Sequence, residues 1–391
     1  MRNIYLDNQA TTQCDPRVLE VMLPYFCEIY GNPSSDHDFG YQANAALEKA
    51  REQTAQIIGA QAKDILFASG ATAAVNTAII GCARFYGKKR NHIITSAIEH
   101  KCVLESCKAL QEEGFEVSYL KPTIDGIIEP GAVERLISDK TLLASVMAVN
   151  NEIGTIQPIR EIGNICRSHG VIFHTDAAQA IGKIDIDVEK DNISMLTLSG
   201  HKIYAPKGVG AIYISSSPKI KLRPLIFGGG QERQLFPGTT SVPLCVGLGR
   251  ACELMHTEMH EVNDNISRIK SRFFDYITKN IEQVYLNGHK DKRVPHNLNM
   301  SFAGVEGESL MMAMPEVAVS SGSACTSDTL EPSYVLKAMG ISEDLIHTAI
   351  RFGFGRFTTE DEAMYVAQKI AESVKKLRSM SPIYKRSSAI V

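Results

Sequence analysis

Two reactive side chains, far apart in the sequence, could carry chemistry in this chain. Lys202 closes the sequence Ser-Gly-His-Lys at 199–202, where a predicted strand ends, and Cys325 lies in the run of small residues 320–327. A lysine amine can hold an aldehyde cofactor as a Schiff base, and a thiol on a loop of small residues can take a group from it. Together they indicate sulfur chemistry on an amino acid.

Apolar runs alternate with amphipathic segments around these residues and must position them. The predicted strands are 64–68, 92–96, 116–120, 141–149, 171–175 and 195–199. Helical periodicity separates them, for example over 103–113 and 159–168. This alternation is typical of an α/β domain with a mostly parallel sheet covered by helices.

The pattern changes after the three glycines at 228–230. A long helix is predicted over 242–281, and it is followed by strands over 297–302 and 317–320 and a helix over 359–377. Because 391 residues are too many for one compact core, we expect a large domain and a smaller one.

Composition and charge argue against several functional classes. A net charge of −3 and short basic runs such as 88–90 give no footprint for direct nucleic-acid binding. No apolar segment approaches membrane-spanning length and the first residues do not form a signal sequence, so we expect a cytoplasmic protein without a membrane partner. Nine cysteines without paired spacing indicate reduced thiols.

Polar residues cluster where the predicted strands end, and in open α/β sheets ligands bind outside these carboxyl ends. The sequence Ser-Gly-Ala-Thr at 69–72 follows a strand and opens a helix. Its backbone amides and the Thr72 hydroxyl could cradle a phosphate, although a plain helix cap is the commoner interpretation of such a sequence.

Further polar candidates follow the next strands. They are His100, Asn150, Asn151, Asp176 and Gln179. An imidazole can stack on a pyridine ring, a carboxylate can keep a ring nitrogen protonated, and an amide can bind a ring oxygen. Each residue alone could equally be a cap or a turn, but all of them lie at the same edge of one predicted sheet.

The sequence resembles the class V, fold-type I pyridoxal-phosphate enzymes, and among them the cysteine desulfurases that supply sulfur for iron–sulfur cluster assembly. The matching segments span nearly the whole chain: 5–12, 31–33, 69–72, 99–101, 150–154, 174–179, 199–202, 228–233, 238–239, 320–327, 330–336 and 350–352. The resemblance implies the architecture of a fold-type I PLP-dependent transferase. A large domain over 15–259 would contain a mostly parallel seven-stranded sheet, and a smaller α+β domain over 1–14 and 260–391 would carry Cys325.

The resemblance also implies how the cofactor, pyridoxal 5'-phosphate, is held. Lys202 would form the Schiff base, His100 would stack on the ring, Asp176 would pair with the ring nitrogen, and Gln179 would contact the phenolic oxygen. The residues implied at the phosphate are Ala71, Thr72, Ser199 and His201, with Thr239 reaching in from the second subunit of a homodimer.

The implied reaction converts L-cysteine to L-alanine. Asn151 and Arg351 would clamp the substrate carboxylate, for which a planar bidentate donor is well suited. Lys202 would move the α proton, His100 would assist proton movement near the substrate thiol, and the Cys325 thiolate would take the sulfur as a persulfide. A sulfur-acceptor protein, either a cluster scaffold or a sulfur carrier, would then receive it.

The chain departs from this family in four places. Residues 73–75 are Ala-Ala-Val where polar or acidic residues are common, and Phe236-Pro237 stands where a basic residue and a serine are common. Gly353 replaces a usual serine, and the C-terminal tail is short. These departures leave room for a specialised sulfur donor, for example one that serves tRNA thiolation or DNA phosphorothioation.

Two alternatives retain the same scaffold. A selenocysteine lyase, or another β-elimination lyase, would not require Cys325. A partner-binding subunit would keep the cofactor pocket only as structure, but it would have no need of Lys202, Asp176, Arg351 and Cys325 together.

A zinc site is a further alternative, because Cys252, His256 and His260 lie four residues apart on a predicted helix. No supporting metal motif accompanies them, so a partly exposed helix face is the favoured interpretation and no metal is expected.

Overall fold

The structure is a computed structural model that describes residues 3–321 and 332–380. The strands are β1 (Ile4–Tyr5), β2 (Ile65–Ala68), β3 (His92–Ser96), β4 (Glu116–Leu120), β5 (Thr141–Ser145), β6 (Ile172–Asp176), β7 (Met195–Ser199), β8 (Gly210–Ile214), β9 (Val284–Asn287), β10 (Asn297–Phe302), β11 (Val317–Ala318), β12 (Ser320–Ser321) and β13 (Ala349–Gly353). The helices are α1 (Pro16–Met22), α2 (Pro24–Cys27), α3 (Asp38–Gln56), α4 (Ala71–Tyr86), α5 (Lys101–Glu112), α6 (Pro130–Leu136), α7 (Ile159–Ser168), α8 (Val242–Asn280), α9 (Gly307–Met312), α10 (Tyr334–Ala338), α11 (Glu343–Ile346) and α12 (Glu360–Met380).

The larger sheet has seven strands in the order β2-β8-β7-β6-β5-β3-β4. Strand β8 runs antiparallel to both of its neighbours, and the other pairs are parallel. The predicted α/β fold with a mostly parallel seven-stranded sheet is therefore confirmed. Successive residues of a strand face opposite sides of a sheet, and here Ile93 joins one apolar cluster while Ile94 joins the other.

Strand β8 is the one strand of the large sheet that was not predicted from the sequence, and β9 and β13 of the small sheet were not predicted either. The five residues of β8, Gly-Ala-Ile-Tyr-Ile, are all buried. No α-helix separates β8 from β7, because only the short 3-10 helix Gly200–Lys202 lies between them, so β8 breaks the strand–helix alternation on which the prediction rested. Strand β5 is also shorter than predicted, although Val146 and Ala148 beyond its end still donate to carbonyls of residues in β6.

A second sheet has the order β12-β13-β10-β9, and β1 pairs separately with β11. The apolar core beside this second sheet combines residues from distant parts of the chain, for example Leu6, Met300 and Phe352. Helix α8 joins the two cores, because Leu248 packs in the core of the large sheet and Phe273 in that of the small sheet. The exact domain bounds remain a prediction.

No helix within residues 3–321 and 332–380 is both long enough and apolar enough to cross a bilayer.

Candidate active site

The carboxyl ends of the large sheet's parallel strands border a cavity of about 510 Å³. Most of the predicted site residues line it: Ala71, Thr72, His100, Asn151, Asp176, Gln179, Ser199, His201, Lys202 and Arg351. Thr239 is not part of the lining and is exposed in this chain. Cys325 lies outside the described residues, as does most of its run of small residues.

One end of the cavity is suited to an anion. Helix α4 begins at Ala71, and Gly70 before it has a φ of 153° and gives no side-chain cap, so the first amides of the helix are left to other acceptors. Gly210 of β8 makes room for this turn, because a Cβ there would lie 2.9 Å from the Gly70 Cα. Burial lowers the pKa of His201 to about 4, assisted by Lys202 and Lys207. A neutral imidazole and free amides can both donate to a phosphate.

Asp176 and His100 also line the cavity. Burial raises the pKa of the Asp176 carboxyl, although the Ala178 N–H that donates to Oδ1 at 2.9 Å, together with His100 and Lys202, acts in the opposite direction. A buried carboxylate gains most from a protonated partner, which a pyridine nitrogen can supply.

His100 caps helix α5. Its Nδ1 accepts from the Cys102 N–H at 3.2 Å and lies 3.0 Å from Cys102 Sγ. Because Nδ1 is the acceptor of a backbone donor, the ring proton of neutral His100 is on Nε2. Burial lowers the pKa of His100, so the neutral form is favoured.

The N-terminal segment, residues 4–12, forms the wall beside Lys202. The Lys202 Nζ donates to the carbonyl of Gln9 at 2.5 Å and to that of Ala10 at 2.7 Å. This segment belongs to the family pattern, but none of its residues was predicted to be part of the site. No local signal in the sequence could have found it, because its position depends on β1 pairing with the distant β11.

Gln179 is fixed on two sides. Its Nε2 donates to the Gln9 carbonyl at 2.9 Å, and its Oε1 accepts from the buried Lys183 Nζ at 2.8 Å. Lys183 was not among the predicted site residues.

Arg351 points into the cavity from β13 of the small domain's sheet. Its Nη2 donates to Asp7 Oδ1 at 2.9 Å and to Ser320 Oγ at 3.2 Å, and its Nη1 donates to the Asn151 carbonyl at 3.1 Å. Within residues 3–321 and 332–380, its Nε and the Asn151 Oδ1 have no hydrogen-bond partner although both are buried. The unpaired Arg351 Nε donor fits a ligand carboxylate, whereas the Asn151 Oδ1 is an acceptor and needs a donor from the ligand.

The departure at Gly353 has a steric reason. A Cβ at this position would lie 2.5 Å from the backbone nitrogen of Asn8, because the N-terminal segment passes directly over β13.

Of the apolar residues at 73–75, Ala74 and Val75 are buried in the core of the large sheet. Phe236 packs against the same core.

A buried ion pair holds the loop that precedes Thr239. The backbone of this loop is left-handed at three residues, with φ values of 45° at Glu232, 54° at Arg233 and 66° at Gln234. This conformation is unfavourable for residues other than glycine. Glu232 accepts from Arg51 Nη1 and Nη2, each at 2.9 Å, and from the Phe67 N–H at 2.8 Å. This pair therefore stabilises a strained loop and ties it to strand β2.

The residues of the zinc alternative are separated by burial. Cys252 is fully buried in the core, whereas His256 and His260 are exposed. Across the described ranges no group of three or more His, Cys, Asp or Glu side chains is placed to hold a metal ion.

The cavity residues fit pyridoxal phosphate by their chemistry. The helix start and His201 suit the phosphate, Asp176 suits the ring nitrogen, His100 offers an imidazole face, and the Lys202 amine can bond the aldehyde.

Comparison with known proteins gives consistent results. The Aminotransferase class-V family matches residues 4–366. A cysteine desulfurase IscS of Rickettsia bellii is 54% identical over 382 residues, which cover 97% of this chain and 93% of that protein. Among solved structures, a NifS-like protein has a TM-score of 0.89 at 36% identity and covers 95% of this chain and 99% of its own. SspA in complex with cysteine has a TM-score of 0.81 at 38% identity and covers 91% of this chain and 100% of its own.

Proposed function

The chain belongs to the class-V aminotransferase family, as the sequence resemblance predicted, and on that premise we propose that it is a cysteine desulfurase. It uses pyridoxal phosphate, takes L-cysteine as substrate and releases L-alanine. The observation that carries this proposal is the meeting of Lys202, Asp176, His100 and Arg351 around one cavity.

The cofactor, when bound, withdraws electrons from the amino acid so that its α proton and its C–S bond become labile. Arg351 binds and orients the substrate carboxylate, because its guanidinium is buried and already held by Asp7 and the Asn151 carbonyl. Lys202 Nζ is the base for the α proton. His100 handles a proton near the substrate sulfur through Nε2, since Nδ1 is occupied by the helix cap.

We assign the sulfur transfer to Cys325. Its thiolate attacks the sulfur of the bound substrate, an S–S bond forms as the C–S bond breaks, and the electron pair of the broken bond stays with the carbon that becomes the alanine methyl group. The sulfur then remains on Cys325 as a persulfide until an acceptor protein takes it.

A direct assay tests this function. The purified holoenzyme is incubated with L-cysteine and a reductant, and sulfide and alanine are measured. We expect equal amounts of both products from the native protein and neither above background from Cys325→Ala. Absence of both products from the native protein would disprove desulfurase activity, whereas full activity of Cys325→Ala would favour the lyase alternative.

We also propose a homodimer in which Thr239 completes the partner's site. Thr239 is exposed and outside the cavity of its own chain, and the nearby Ile226 and Phe227 expose 62% and 85% of their surface. Large exposed apolar side chains favour burial against another protein surface. Mixed dimers of Lys202→Ala and Thr239→Val chains test this sharing, because one of their two sites would contain both native residues and regain activity.

The acceptor is a cluster scaffold or a sulfur carrier, and we place the reaction in the cytoplasm, where thiols stay reduced. Pull-down with persulfidated protein identifies the acceptor and thereby distinguishes iron–sulfur cluster assembly from tRNA or DNA modification.

A further inference from the structure

Lys183 is a buried amine that the proposed reaction does not use. It is 5% exposed, and its Nζ donates to Gln179 Oε1 at 2.8 Å. Among the residues that the structure describes, no carboxylate forms an ion pair with it. Burial, together with the positive charges of Lys202 and Arg351, lowers its pKa to about 7. Burying an amine among other cations is unfavourable, so its position calls for a reason other than packing.

The contacts of Gln179 supply that reason. A lysine amine that donates to the carboxamide must face its oxygen, and the Gln9 carbonyl must face its nitrogen, at 2.9 Å. Both neighbours therefore select the same orientation of the amide. Since Gln179 is 5% exposed and lines the cavity, the second N–H of its Nε2 is the polar group left for a ligand.

Lys202 is linked to the same arrangement. Its Nζ donates to the Gln9 carbonyl at 2.5 Å, so one carbonyl oxygen serves both Lys202 and the Gln179 amide. The orientation of Gln179 is thereby set relative to the amine that bonds the cofactor.

We propose that Lys183 is a positioning residue for cofactor binding, which acts by holding the Gln179 carboxamide so that an N–H is directed at the phenolic oxygen of the ring. This inference rests on the proposed function, because it requires pyridoxal phosphate in the cavity. Lys183 itself touches neither cofactor nor substrate.

The test measures the dissociation constant of pyridoxal phosphate by titrating apoprotein and following the absorbance of the bound cofactor. Lys183→Met should weaken binding about tenfold, which corresponds to one misdirected hydrogen bond. Lys183→Gln, which keeps an N–H donor, should restore affinity to within about threefold of the native protein. Lys190→Met is the matched control, since Lys190 is 73% exposed in its side chain and should leave the affinity unchanged.

A double-variant cycle separates positioning from general stability. In a Gln179→Leu background, Lys183→Met should add less than about a twofold change, because the amide through which Lys183 acts is absent. Gln179→Glu keeps an acceptor for Lys183 but offers no N–H, and it should lose as much affinity as Gln179→Leu. This variant tests the inference even where Lys183→Met does not fold.

The inference is overturned if Lys183→Met binds the cofactor as tightly as Lys190→Met, if its effect is undiminished in the Gln179→Leu background, or if Gln179→Glu retains native affinity. A native protein that binds no pyridoxal phosphate would refute the proposed function as well. The two failures are therefore distinguishable.

Discussion

The ion pair between Arg51 and Glu232 offers a matched pair of substitutions. Arg51 also contacts Glu48, from Nε to Oε1 at 3.2 Å, so one guanidinium serves a buried and an exposed carboxylate. The Glu232 side chain is 5% exposed and that of Glu48 is 51% exposed. Glu232→Gln and Glu48→Gln thus remove the same charge from the same arginine in two environments.

The expected magnitudes differ because burial differs. In Glu232→Gln the amide keeps one acceptor oxygen, but its NH₂ group faces an Arg51 donor, and the guanidinium loses its buried counter-charge. One charge-assisted hydrogen bond and an uncompensated buried cation together cost about 3 kcal/mol of unfolding free energy. Glu48→Gln should cost less than about 0.5 kcal/mol, because solvent screens the exposed pair.

Urea unfolding of both variants at a fixed, saturating cofactor concentration measures the difference, since bound cofactor adds to apparent stability. The m-value should stay the same while the midpoint of Glu232→Gln falls. A loss below about 1 kcal/mol for Glu232→Gln, or equal losses for the two variants, would refute the reasoning that burial makes this pair strong.

Two further predictions concern the site, and a third concerns the fully buried carboxyl of Glu99. Lys202→Ala should lose both the visible absorbance of covalently bound cofactor and alanine release, and a spectrum identical to the native one would contradict the assignment. Arg351→Lys should raise the KM for L-cysteine at least about tenfold with a smaller change in kcat, measured by steady-state alanine release, because a lysine cannot reproduce the planar donor pair. Burial raises the pKa of Glu99 from 4.5 to about 8, so the folded protein retains a proton that the unfolded chain releases, and stability should fall as pH rises through this interval. Glu99→Gln should flatten that fall in urea unfolding at several pH values, and an unchanged slope would show that Glu99 is not its source.

Much of the large domain could be predicted from sequence because its strands, apart from the partly exposed edge strand β4, are buried on both faces and most of them are separated by helices. The limits of β3, β4 and β7 match the prediction, and β2 and β6 differ by one residue. Helix α8 was also predicted to within one residue of its end. The antiparallel β8 escaped because alternation is a signal for parallel units only.

The residues around the cavity also divide into those that could be predicted from the sequence and those that could not. His100, Asp176 and Lys202 could be predicted because each ends or follows a strand of one sheet, and the ends of such strands converge. Gln9 and Lys183 could not, since the first depends on the pairing of a two-residue strand with a distant partner and the second on burial behind Gln179. A local pattern carries no information on such contacts.

The N-terminal segment also constrains the order in which the molecule can be completed during synthesis. Ile4 pairs with Val317, and Asp7 binds Arg351, so these residues must wait for partners that are synthesised much later, 344 residues later in the case of Asp7. The large sheet and its helices can form earlier, because their strands end at Ile214. A nascent chain can thus form its large sheet while still lacking the wall beside Lys202, and the site is complete only after Arg351 has been synthesised.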